Sequence, residues 1–250
     1  MNTSEYKLAW VGQISEQQLT VDYDLAQFCA DISDDEKSLI DVTWQRRREH
    51  AIQKGLSVFN APLIRLSRHI PGNDGTLHLE LGKTDYKQYI GTRSPSFSGL
   101  RANPIGTCLL PITSDGFIPL GTRSPNADVN AGKYFTFGGF LDADIDVKQG
   151  IPDVFSCMQR EMQEETGLTF PNENLKLIGI VDDLIFCHPE FSFLSYLDID
   201  SNSFRDTTWQ NELSSLTFIA VDDVHNFVAT NNDRIVPTLL GTLNIFMKTT

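Results

Sequence analysis

Arg160-Glu161-Met162-Gln163-Glu164-Glu165-Thr166-Gly167-Leu168 is the stretch that decides how this chain is read. On a helix, Glu161, Glu164 and Glu165 stand at i, i+3 and i+4 and share one face. Like charges at that spacing repel and destabilise a helix that has nothing to offset them. A hard divalent cation such as Mg²⁺ offsets them well, because it takes oxygen ligands and bridges to substrate phosphates. The helix is expected over Asp153 to Thr166, with Gly167 as the residue that ends it.

Working outward, Tyr134 to Phe137 reads as a short strand ending at Gly138-Gly139. The segment between it and the helix, Leu141 to Gly150, carries Asp142, Asp144 and Asp146. Upstream, Pro104 to Ile112 and Phe117 to Leu120 flank the turn Ser114-Asp115-Gly116 and read as a hairpin. Downstream, strands are expected at Leu175 to Val181, Phe191 to Ile199 and Leu216 to Ala220, then helices at Val221 to Val228 and Val236 to Met247. Residues 1 to 100 read as an N-terminal extension, with the main domain over 101 to 250. The extension contains a strand at Tyr6 to Val11 and a helix from Asp34, capped by Asp34 or Asp35, to Gly55. Strands follow at Leu63 to Leu66 and Leu77 to Leu81, then a short helix from Gly82 to Tyr89. Strands interspersed with a few helices imply an α+β fold, an α/β/α sandwich with a mixed sheet.

The composition is that of an ordinary globular protein, 40% hydrophobic and 21% charged. A net charge of −13 argues against nonspecific nucleic-acid or anionic-membrane partners, which need basic patches. A nucleotide substrate stays compatible, since a bound metal inverts the local charge. Cys29, Cys108, Cys157 and Cys187 lack CxxC spacing and read as reduced thiols. Neither a signal peptide nor a membrane span is read, so a cytoplasmic location is expected.

The nine residues at 160 to 168 resemble the distal half of the Nudix box, Arg-Glu-apolar-x-Glu-Glu-x-Gly-apolar, at every defined position. The likeness extends from Pro104 to the C-terminus. Leu120-Gly121-Thr122-Arg123 looks like the strand and arginine before the box, and Phe137-Gly138-Gly139 like its opening turn. The proximal half departs from the pattern. Pro152 stands where a glutamate is usual, and Gly139 lies seven residues further from Arg160 than the common spacing. A second likeness covers Trp44 and Arg48, Phe59-Asn60-Ala61-Pro62, Arg65-Leu66 and above all Leu81 to Thr92. These look like the N-terminal region of the UDP-glucose and UDP-galactose pyrophosphatase branch of animals.

That resemblance implies Mg²⁺- or Mn²⁺-dependent hydrolysis of a nucleotide-sugar to UMP and a sugar 1-phosphate. Alternatives are ADP-ribose or another nucleoside diphosphate derivative as substrate, or a ligand-binding domain without turnover. It further implies Glu161 and Glu165 as metal ligands and Glu164 as a ligand or general base. Arg160 would be a structural partner that orients a glutamate. Gly139 would let backbone amides or a carbonyl approach the metal or phosphate. Arg93 and Arg123, each within a Gly-Thr-Arg-Ser-Pro segment, are candidates for phosphate contact; turn chemistry is the competing reading. Tyr86, Tyr89 and Phe59 are candidates for stacking on a base or for the core. Glu190 is a further candidate carboxylate, Asp182 and Asp183 are weaker ones, and His188 reads as a loop histidine. Arg46-Arg47-Arg48 reads as a solvated helix face, or as the source of one arginine that reaches a ligand's phosphates. Oligomeric state is not legible.

Overall fold

A computed structural model describes residues 5–27, 32–94, 97–125, 127, 129–207 and 213–249. Cys29 lies outside them. The acidic stretch forms helix α3 (Val154–Thr166). Asp153 caps its start by accepting from the Ser156 N–H, and Gly167 ends it at φ 74°, in the left-handed region. Its apolar face buries Phe155, Met158 and Met162. Each such burial stabilises by roughly 1.5–3 kcal/mol. Phe155 meets Phe193 edge-on at 5.2 Å between ring centroids.

The fold is α+β with several sheets rather than one. Strands β1 (Tyr6–Ile14), β10 (Leu175–Asp183), β11 (His188–Tyr196) and β5 (Gly106–Ile112) form a four-stranded sheet in that order. It is mixed, because β11 and β5 run parallel while the other pairs are antiparallel. A second mixed sheet orders β2 (Leu19–Gln27), β4 (Leu77–Asp85) and β3 (Pro62–Pro71). A third, antiparallel, orders β12 (Leu213–Ala220), β6 (Phe117–Arg123) and β7 (Tyr134–Phe135). The insert between the diglycine and α3 closes as the small hairpin β8 (Val147–Lys148) and β9 (Ile151–Pro152). Helix α1 (Asp34–Gln53) lies on α2 (Tyr86–Thr92); α5 (Val224–Asn231) and α6 (Pro237–Thr249) cover the other end, α6 against β10 and β1. The short α4 (Ser201–Arg205) completes the set of α-helices among the described residues.

Three expectations are corrected. The segments around Ser114-Asp115-Gly116 do not pair as a hairpin: β5 is buried at every position and joins β11, while β6 joins β12 and β7. Gly82 to Asp85 continue strand β4, and the helix starts only at Tyr86, where the Asp85 carboxylate accepts from the Gln88 N–H. Helix α1 is capped by Ser33, which forms a reciprocal capping box with Glu36.

Residue 100 divides no core. Ile14, Ile64, Leu66, Leu79 and Leu81 belong to the same buried cluster as Leu109, Phe155, Met162 and Phe193. The first strand lies at the edge of the sheet built by β10, β11 and β5. This sharing brings α1 and α2 to the mouth of the site described next.

Candidate active site

Arg160 is locked in place by the insert. Its Nε and Nη2 donate to Asp146 Oδ1 and Oδ2 at 2.9 and 2.8 Å, a bidentate pair. The Asp146 side chain is 2% exposed. Its Oδ2 also accepts from the Asp142 N–H at 2.9 Å, and the Asp153 N–H bonds to the Asp146 carbonyl at 2.9 Å. Arg160 Nη1 then reaches Glu161 Oε1 at 2.9 Å and Glu164 Oε2 at 3.1 Å. One anchored guanidinium thus orients two of the three glutamates. Pro152, where the family pattern has its acid, is part of the β8–β9 hairpin that carries Asp146 into this position. Nothing local to the insert distinguishes Asp146 from Asp142 and Asp144.

Glu165 is held by backbone. Its Oε2 accepts from the Gly138 N–H at 3.1 Å. Gly138 sits at φ 152°, and a Cβ there would collide with the Thr107 carbonyl. At Gly139 a Cβ would come within 2.5 Å of the Glu161 carboxylate. The Gly139 carbonyl accepts from the Thr107 N–H at 2.8 Å and Thr107 Oγ1 at 3.1 Å. These two bonds fix the Gly139 carbonyl against Thr107. Gly139 serves by having no side chain.

Glu161 and Glu165 face a cavity of about 410 Å³, in the range of small-molecule sites. Asp183, His188 and Glu190 also line it, as do Arg47, Arg93 and Arg123. The two Gly-Thr-Arg-Ser-Pro segments, 30 residues apart in the chain, thus deliver their arginines to one cavity. The Arg123 guanidinium lies 5.1 Å from the centre of the Phe135 ring, and its buried Nε has no hydrogen-bond partner among the described residues. Glu164, 54% exposed on its side chain, is turned to Arg160 and does not line the cavity. Phe59 is 74% exposed and lies elsewhere.

Asp183 Oδ1 accepts from the Ile185 and Phe186 N–H groups at 2.8 and 2.6 Å and so stabilises the turn between β10 and β11. Asp182 lines a neighbouring cavity with Arg68 and His69. His188 is a strand residue, not a loop residue. Tyr86 and Tyr89 join Trp44, Phe140 and His188 in a set of edge-on and tilted rings. The stacking reading and the core reading meet here, since Tyr89 is buried yet lines the cavity.

Burial raises the Glu161 carboxyl to about 6, against the pull of Arg160, with Glu164 and Asp146 adding to the rise. No three His, Cys, Asp or Glu side chains among the described residues converge as a protein-only metal cage. The donors nevertheless fit Mg²⁺, which commonly uses one or two carboxylates, keeps waters and shares substrate phosphates. Glu161 supplies a partly desolvated carboxylate that a cation would stabilise.

No family model matches the chain, and no curated protein does. Among solved structures it resembles a bifunctional NMN adenylyltransferase/ADP ribose pyrophosphatase from Francisella tularensis, at 15% identity and TM-score 0.44, over 61% of this chain and 43% of that one. It resembles the MutT protein of Methanosarcina mazei Go1 at 18% identity and TM-score 0.44, over 61% and 98% of the two chains. It also resembles the Nudix domain of Shewanella oneidensis NrtR, solved with ADP ribose, at 15% identity and TM-score 0.39, over 56% and 86%. The chain spans less than half the length of the first of these proteins. Among the described residues no helix is long and apolar enough to cross a membrane.

Proposed function

We propose that this protein is a Nudix-type hydrolase, dependent on Mg²⁺ or Mn²⁺, that cleaves the diphosphate of a UDP-sugar to UMP and a sugar 1-phosphate. The observation that carries the reading is one cavity lined by Glu161 and Glu165 together with Arg47, Arg93 and Arg123. A diphosphate needs a cation held by carboxylates and positive groups for its remaining oxygens. The cavity offers donors for both. The choice of a UDP-sugar over ADP-ribose rests on the likeness of Leu81 to Thr92 to the UDP-sugar branch. Part of that string is α2, whose Tyr86 and Tyr89 line the cavity.

When bound, the cation would neutralise the diphosphate and acidify a water. Glu161 and Glu165 would hold it, Glu161 oriented by Arg160 and Glu165 by the Gly138 amide. Arg93 and Arg123 would bind non-bridging phosphate oxygens, and the Phe135 ring would keep Arg123 aimed. Asp146 would act at one remove, by fixing Arg160.

A panel of UDP-glucose, UDP-galactose, ADP-ribose and other nucleoside diphosphate derivatives, with Mg²⁺ and with chelator, tests this. Mg²⁺-dependent release of UMP and hexose 1-phosphate, faster from the UDP-sugars, is expected. Faster turnover of ADP-ribose would move the substrate to the alternative class. Binding without turnover of any compound would make the domain a ligand sensor.

A further inference from the structure

Three residues that line the cavity, Tyr89, His188 and Glu190, are joined in a row by hydrogen bonds from α2 to β11. The Arg93 guanidinium lies 5.2 Å from the centre of the Tyr89 ring. The Tyr89 hydroxyl meets His188 Nδ1 at 3.1 Å. His188 Nε2 meets Glu190 Oε2 at 3.2 Å. An ionised carboxylate is an acceptor only, so with a neutral imidazole the Glu190 end fixes the directions along the chain. Nδ1 is then the acceptor and the Tyr89 hydroxyl the donor. The imidazole then carries its proton on Nε2 and donates to Glu190. Burial pushes the Tyr89 phenol well above its ordinary pKa, which keeps that proton in place. Chains of aligned donors polarise one another and stiffen the last group.

The carboxylate at the end of this chain is built in. The Glu190 side chain is 6% exposed. It lies over Gly106, its register partner on β5, where a Cβ would collide with the carboxylate oxygen. The other cavity carboxylates are engaged otherwise. Glu161 and Glu165 are assigned above to the cation, and Asp183 accepts from two turn amides.

On the diphosphatase reading above, we propose that Glu190 takes the proton of the attacking water and that Tyr89 and His188 are its positioning residues. Water oxygen bonds to one phosphorus as the bridging P–O bond breaks. One water proton passes to Glu190, and the bond's electron pair leaves with the departing phosphate. The N-terminal extension would then supply, through α2, part of the catalytic register as well as ligand contacts.

Two measurements test this. The first needs no activity: ¹⁵N–¹H spectra of the histidines in metal-free protein, with His188 assigned by its loss in H188Q. The proposal expects His188 neutral and protonated on Nε2, and a shift toward mixed tautomers in Y89F. An Nδ1-protonated or doubly protonated ring in the wild-type protein would overturn it. The second uses Mg²⁺ and UDP-glucose, with thermal unfolding to check each variant. E190Q should lower kcat by about 100-fold or more, the usual scale of a general base. Y89F should lower kcat about tenfold with KM within about twofold, and should add nothing in the E190Q background. H188Q, which keeps an N–H near Nε2, should retain more kcat than H188A. Multiplying losses in the Y89F/E190Q double variant, or near-normal kcat in a folded E190Q, would overturn the assignment. If the wild type turned over no compound, the function above would fail, while the spectra would still decide the hydrogen-bond chain.

Discussion

Replacing Glu161 by Gln should make the metal-free protein more stable while removing its activity. The Glu161 carboxyl is raised from 4.5 to about 6, and its side chain is only 14% exposed. At pH 7 the folded protein therefore holds a carboxylate that it would rather keep protonated. A rise of that size corresponds to about 2 kcal/mol of lost stability. The direction follows from linkage: a raised acid binds its proton more tightly when folded than when unfolded. Its favourable contribution is full below about pH 4.5 and is lost as pH rises through about 6. Gln keeps the shape without the charge, so E161Q should gain about 2 kcal/mol at pH 7, or roughly 4–8 °C in Tm for a chain of this size. The gain should shrink toward zero near pH 4.5. Urea and thermal unfolding in excess EDTA, at both pH values, would measure it. E164Q is the control: Glu164 is mostly exposed and pairs with Arg160, so its loss should change stability by no more than about 0.5 kcal/mol. A metal-free E161Q less stable than wild type at pH 7, or a gain that does not depend on pH, would refute the account of Glu161 as a desolvated carboxylate.

Other outcomes follow from the same geometry. D146N leaves Arg160 without its bidentate partner and should cost about 3 kcal/mol in urea unfolding, the low end for a broken buried pair, since Glu161 and Glu164 remain beside Arg160. G138A puts a Cβ against the Thr107 carbonyl at a strained φ and displaces the amide that Glu165 accepts from; it should cost about 1–3 kcal/mol and weaken Mn²⁺ binding measured by paramagnetic titration. R123Q should raise KM for UDP-glucose about tenfold or more with kcat within a few-fold, as expected for a charge-assisted contact present in both ground and transition states.

Helix α3 was legible because its signals are local: three acids at helical spacing and a terminal glycine. The hairpin drawn through Ser114-Asp115-Gly116 failed for the opposite reason. Strand β5 is buried on both faces, so it shows no alternation, and its partner β11 lies some 80 residues later in the chain. Gly82 to Asp85 read as part of the helix that follows, whereas Gly82 sits within β4 beside the Arg65 side chain. In the site, Arg93 and Arg123 stood out through their repeated context, but nothing local said that they converge. Asp146 and His188 owe their positions to partners far away: Arg160 for one, Tyr89 for the other. Long-range pairing of that kind leaves no periodicity in a single sequence.

The claim at the centre of this account is metal-assisted attack of water on a diphosphate. Hydrolysis of UDP-glucose with Mg²⁺ in ¹⁸O-labelled water, followed by mass spectrometry of the products, tests it most directly. One ¹⁸O should appear on the phosphate of either UMP or glucose 1-phosphate, and chelator should abolish the reaction. Formation of UDP and free glucose carrying the label would contradict it, as would undiminished turnover in excess EDTA.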